Sequence, residues 1–121
     1  LNGYRFDFLL ERNSTPLYLE VKSVTFVEDG VAKFPDSITK RGRHHVEYLS
    51  KMSSEGIDCM ILFVIQRSDA VFFKPYWDRD PKFSKSLSDG YKNGLKVKVI
   101  SADIKKNSIK LCRDIPFDLD E

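Results

Sequence analysis

Two apolar runs near the start of the chain carry charges at positions where strands usually carry none. The run Tyr4-Arg5-Phe6-Asp7-Phe8-Leu9-Leu10-Glu11 and the run Leu17-Tyr18-Leu19-Glu20-Val21-Lys22-Ser23-Val24 both read as strands. Between them, Asn13 to Pro16 is turn chemistry, because Asn and Ser bond their own backbone and Pro fixes its φ. An antiparallel hairpin follows. Asp29-Gly30 supplies a second turn and returns Val31 to Phe34 as a short strand. Pro35 stops that strand, and Asp36 stands where a helix takes a side-chain N-cap.

The spacing predicts a helix over 37–54, from Ser37 to Ser54. Ile38, Gly42, His45, Leu49 and Met52 share one stripe with Val46 beside them, while Lys40, Arg43, His44, Glu47 and Lys51 take the polar side. Gly56 ends it. Ile57 to Gln66 is apolar almost throughout, the pattern of a central strand covered on both faces. A second helix is expected from Pro81 to Asn93, stopping at Gly94. Strands Leu95 to Ser101 and Ser108 to Arg113 follow, before the acidic end Asp118-Leu119-Asp120-Glu121. The order predicts an α/β sandwich with a mixed central sheet, antiparallel at its start and crossing over through helices later. With 121 residues it is expected to build one core.

Composition narrows this picture little. Twenty Lys and Arg against 18 Asp and Glu give a net charge of +2, so any nucleic-acid surface must be local. No run approaches the roughly 18 apolar residues of a membrane span, and no signal-peptide pattern opens the chain. Cys59 and Cys112 lack metal-type spacing. Cys59 adjoins the apolar run Met60 to Ile65 and reads as a reduced core thiol, which suggests the cytoplasm. Asn13-Ser14-Thr15 has the form of a glycosylation acceptor but is followed directly by Pro16, and it reads as the hairpin turn.

The charges in the hairpin carry the candidate chemistry. A strand period of two sends Glu20 and Lys22 to one side of the sheet. Asp7, flanked by Phe6 and Phe8, is brought alongside by the hairpin. Such groups are rarely buried unless paired or bound to metal. Two carboxylates and a backbone carbonyl between Glu20 and Lys22 offer oxygen ligands to a hard cation such as Mg²⁺ or Mn²⁺. Lys22 would orient an attacking water or stabilise developing charge, which amounts to metal-assisted phosphodiester hydrolysis. An ordinary ion pair between Glu20 and Lys22, with Asp7 solvated, fits the same pattern, and the residues alone leave both readings open.

Longer segments add specificity. Arg5 to Leu10, Leu19 to Thr25, Phe34-Pro35-Asp36, Thr39-Lys40-Arg41-Gly42-Arg43-His44-His45 and Leu62 to Arg67 together resemble the sugar fermentation stimulation protein A (SfsA) family over nearly the whole chain. The resemblance implies a restriction-endonuclease-like three-layer sandwich of the PD-(D/E)xK nuclease kind, with DNA as partner and Mg²⁺ or Mn²⁺ as cofactor. Asp7 takes the place of its first acid, Glu20 of its second and Lys22 of its lysine. The family typically carries a smaller OB-like N-terminal domain with no counterpart here, so residues 1–121 read as a single nuclease-like domain without that binding platform. Lys40 also departs from the family, which is expected to hold an acid there.

Other residues are weaker candidates. Asp36 follows Glu20-Val21-Lys22, whereas the nuclease order puts the first acid before it. The N-cap is therefore the expected role of Asp36, with an outer place in the site left open. Glu11 is expected to meet solvent. Arg41 and His45 match the family pattern, Arg41 as either a phosphate contact or simply an exposed residue early in the helix, and His45 as either a core histidine or a site residue. Gln66 and Arg67 end the central strand, where open α/β sheets place ligands. Lys40, Arg43, His44, Lys51, Lys96 and Lys98 are candidates for a DNA-facing patch. Three functions are consistent with all this: a metal-dependent nuclease, a DNA-binding regulator that does not cut, and an interaction module whose charges are structural.

Overall fold

The computed structural model describes residues 8–12, 15–103 and 110–121. Their order is β1 (Phe8–Arg12), β2 (Thr15–Val24), β3 (Val27–Glu28), β4 (Val31–Phe34), α1 (Lys40–Ser54), β5 (Asp58–Ile65), β6 (Phe72–Pro75), α2 (Pro81–Lys92), β7 (Lys96–Asp103) and β8 (Lys110–Asp114). A five-stranded sheet runs β1-β2-β5-β7-β8, and a three-stranded sheet runs β3-β4-β6. In the larger sheet β2, β5 and β7 are parallel, with antiparallel β1 and β8 at the edges. The fold is mixed α/β, as expected, with the predicted hairpin at its start.

Register sorts the side chains of the larger sheet into two faces. Glu20 pairs with Ile61, which pairs with Val97, and Lys22 pairs with Phe63, which pairs with Val99. These residues therefore point the same way. On this face Cys59, Ile61, Phe63 and Ile65 are buried, and α1 covers them with Val46, Leu49 and Met52. Phe63 lies 4.7 Å from Phe73 and 5.4 Å from Phe34, and Phe34 lies 5.4 Å from Phe83 of α2, ring centre to ring centre. One aromatic cluster thus joins both sheets and helix α2. The opposite face of β5, with Met60, Leu62 and Val64, is only half-buried, so β5 is not covered equally on both sides as its composition suggested. The described elements all gather on the Phe63 side.

Three other expectations change. First, α1 begins at Lys40 rather than Ser37, and its N-cap is Thr39 rather than Asp36. Thr39 Oγ1 accepts from Gly42 N at 2.9 Å, which satisfies one of the open donors of the first turn. Second, Ile38 precedes the helix, is 75% exposed, and takes no part in its apolar stripe. Third, β3 and β6 join β4 as extra strands. With two and four residues, the second ending in proline, they are too short to show a periodicity.

The tight turn at Asp29-Gly30 is present, with both residues at positive φ (52° and 79°). Cys59 is a buried free thiol, and burial pushes its pKa up. Asp7, Asn13, Ser14 and the segment 104–109 lie outside the described residues, as do the side chains of Glu11 and Cys112. Among the described residues no helix is long and apolar enough to cross a membrane.

The helices touch closely because Gly90 of α2 has no side chain. A Cβ at Gly90 would collide with Ser50 Oγ, which donates to Val46 O at 2.8 Å. An exposed helical Gly→Ala change gains about 1 kcal/mol from propensity. Here overpacking outweighs that gain, and Gly90→Ala is expected to cost about 1–3 kcal/mol net. Urea denaturation measures the difference, and a stabilised variant would show that Ser50 yields without cost.

Candidate active site

Glu20 is 6% exposed, a carboxylate set in a face that is otherwise mostly apolar. Lys22 reaches back along β2 to place Nζ 3.3 Å from Glu20 Oε1. His45 of α1 brings Nδ1 to 3.4 Å from the same oxygen. The strand period explains the first pairing, and the packing of α1 explains the second. His45 lies on the flank of the buried Gly42-Val46-Leu49 stripe that faces β2. His45 therefore lies beside the acid rather than in the apolar core, at a contact outside hydrogen-bond geometry that becomes an ion pair only with the imidazole protonated. Arg41, exposed, stands four residues earlier and so one turn back on the same flank.

The remaining candidates spread out. Gln66 donates from Nε2 to Ser23 Oγ at 2.9 Å and from its backbone N to Val24 O at 3.0 Å, clipping β5 to β2 at their shared end. Ser23 points away from Glu20, so Gln66 is held at the rim of the sheet rather than in the cluster. Arg67 forks onto Asp69, at 2.6 and 3.0 Å. Asp36 is exposed, and its carbonyl accepts from Arg79 Nη1 at 2.6 Å.

The predicted basic patch divides. Lys96 and Lys98 pair in register with Met60 and Leu62, hence on the sheet face away from α1, where they meet Asp58 at 3.4 Å and Asp114 at 3.8 Å. Lys40, Arg43 and His44 are near the start of α1, and Lys51 is in its last turn. Asp7 lies outside the described residues. Among those described, no group of three or more His, Cys, Asp and Glu side chains converges as a metal site.

One residue escaped the sequence reading. Asp80 is buried, its Oδ1 accepting from Phe83 N at 3.0 Å as the N-cap of α2 and its Oδ2 from Thr39 N at 2.9 Å. The first bond was legible, since Asp before Pro at a helix start is a capping signal. The second joins residues 41 apart and left no local trace. Asp80 thereby holds the start of α1 beside that of α2.

The chain is a mixed α/β domain with a buried strand glutamate set beside a lysine of its own strand and a histidine of the covering helix. The family model described as the sugar fermentation stimulation protein RE domain matches residues 1–108, and the chain belongs to that family. A sugar fermentation stimulation protein homolog of Methanosphaera stadtmanae is 47% identical over 113 residues, covering 91% of this chain and 47% of its own length. The homolog of Desulforamulus reducens is 39% identical over 115 residues, covering 95% and 48%. The chain thus spans about half the length of the curated relatives it matches. Among solved structures, Pyrococcus furiosus SfsA, described in complex with Ca²⁺, superposes with a TM-score of 0.88 at 26% identity, covering 96% of this chain and 51% of that one.

Asp80→Ala is expected to cost about 2–3 kcal/mol, because it strands two backbone donors at once. Asp80→Asn keeps an acceptor and should lose less. Thermal unfolding of the two variants checks the order, and equal losses would contradict it.

Proposed function

We propose that this chain is a restriction-endonuclease-like domain that hydrolyses phosphodiester bonds of nucleic acid, most simply DNA in the cytoplasm, with a divalent cation. The observation that carries the reading is the sharing of Glu20 Oε1 between Lys22 and His45. Both contacts fall on Oε1, so the Glu20 carboxylate would keep acceptor capacity for a metal. Asp7 completes the pair of acids in this proposal. Its neighbour Phe8 pairs with Leu19, itself next to Glu20, which supports the assignment. The description of a relative in complex with Ca²⁺ supports a hard, oxygen-seeking cation in this family.

When bound, Mg²⁺ or Mn²⁺ would supply Lewis acidity at the phosphoryl group and a more acidic attacking water. The chain's own residues do the rest. Asp7 and Glu20 would hold the cation, with His45 packed 3.4 Å from the Glu20 carboxylate. Lys22 stabilises the charge that grows on the phosphoryl oxygens in the transition state. Arg41, exposed on the same flank of α1, steadies the strand through a phosphate, while Asp36 and Gln66 stay at the margin.

A second reading, a DNA-binding regulator that does not cut, draws on the same contact. Lys22 already compensates Glu20, an arrangement that stands without metal.

Cleavage of labelled DNA and RNA structures with Mg²⁺ or Mn²⁺ separates the two. The nuclease reading expects products that vanish in Glu20→Gln and in Lys22→Ala. Absence of cleavage together with salt-sensitive binding favours the regulator. Stability supplies an independent check. Two carboxylates about 5 Å apart repel by roughly 3 kcal/mol at an effective dielectric near 20. Mg²⁺ should therefore raise the melting temperature. Asp7→Asn should stabilise the metal-free protein and remove that rise, whereas an unchanged response to metal would clear Asp7 of the role.

A further inference from the structure

We infer that the cleft between the starts of α1 and α2 is a second phosphate subsite, which grips the backbone of a nucleic-acid strand crossing the first turn of α1. The inference rests on the nucleic-acid reading above for the identity of the strand. The cleft, about 260 Å³, is lined by Ile38, Thr39, Lys40, Arg43, Asp80 and Lys82. Three cations therefore face one carboxylate, and that carboxylate has both oxygens occupied by backbone donors, Phe83 N and Thr39 N. Asp80 keeps its charge, but among the described residues it makes no ion pair with any of the three, which leaves the cleft with a positive excess. Among the described residues none of the three cations has an ion-pair partner, and Arg43 Nε is buried without an acceptor.

A buried charged donor left without an acceptor costs more than the roughly 1–3 kcal/mol of a neutral one, and such groups in folded proteins call for an explanation. The two Nη atoms of the same guanidinium also lack a partner among the described residues but are not buried, so they are the donors an anion in the cleft can reach. The fork of a guanidinium matches two oxygens of a phosphate, with the lysines adding charge at the rim.

The cleft is distinct from the Glu20 cluster. Arg43 and His45 are two residues apart on α1, so they leave the helix on nearly opposite flanks. A strand that reaches both must cross the exposed start of the helix. Ile38 lies there, 75% exposed beside the cleft, and offers apolar surface to a sugar or base that a free phosphate would not use. This favours a polynucleotide over a small anion as the occupant.

The test is fluorescence anisotropy of a short labelled single-stranded DNA with the wild-type chain and with Arg43→Gln, Lys82→Gln and Lys96→Gln, in EDTA over a series of salt concentrations. Arg43→Gln and Lys82→Gln should each weaken binding several-fold and lower the log–log salt slope by about 0.7 for each phosphate that is no longer neutralised. Lys96→Gln, on the far face of the sheet, should change neither. Lys82 is exposed, so its variant keeps the test readable should Arg43→Gln loosen the fold. Wild-type affinity and slope in both cleft variants would overturn the inference. So would wild-type DNA binding accompanied by a lost thermal shift with inorganic phosphate, which would make the cleft a small-anion site. Without metal the readout does not depend on cleavage, so a failed cleavage panel beside weakened binding would remove the nuclease reading and leave the subsite standing.

Discussion

The parallel pairing of β2 with β5 is the constraint on which the rest of the molecule depends. It sets Glu20 beside Ile61 and Lys22 beside Phe63, on the face that every described helix and the second sheet cover. A carboxylate there loses several kcal/mol of hydration. One cation at 3.3 Å returns about 5 kcal/mol in gross Coulomb energy at an effective dielectric near 20. Lys22 is itself largely buried and loses hydration too, so the pair alone does not repay both ions. His45 sits 3.4 Å from the same oxygen and sets α1 beside this pair. Burial of the acid and docking of the helix are in this way one event.

Helix α1 consequently has two working flanks. One carries Arg41 and His45 toward β2, and the other carries Arg43 toward α2. The buried ridge of Gly42, Val46 and Leu49 lies between them. Small residues set the spacing. Gly90 lets α2 approach at Ser50, and Gly42 leaves room for the Thr39 cap and the Phe83 ring. Larger residues at either glycine would change the width of the cleft as well as stability.

Much of this was legible in the sequence wherever the signal was local and periodic. The alternation in β2 was enough to put Glu20 and Lys22 on one side, and the Asn13 to Pro16 turn predicted the antiparallel pair that β1 and β2 form. Long-range facts were not legible. His45 looked like a core residue because its stripe is apolar, and nothing near it in the chain announces Glu20. The lysines of β7 looked like part of a basic patch because charge alone does not report a sheet face, whereas pairing with β5 turns them away from α1. β3 and β6 were invisible because their pairing with β4 comes from tertiary contact, not from pattern. The resemblance to SfsA supplied the family, while the geometry around Glu20 had to come from the fold.

The start of α1 shows why local signals mislead at this site. Pro35-Asp36 has the form of a helix start, yet the helix begins four residues after Asp36, where Thr39 caps it. Two long-range bonds hold the intervening loop: Arg79 donates to Asp36 O, and Asp80 accepts from Thr39 N. Both anchors belong to the turn before α2, which Tyr76 braces through its carbonyl bonds from Arg79 N and Asp80 N. The helix that presents His45 to Glu20 is therefore placed at its start by residues some forty positions downstream. The precision of the candidate site depends on the 76–80 turn, although that turn contributes no group to the Glu20 cluster.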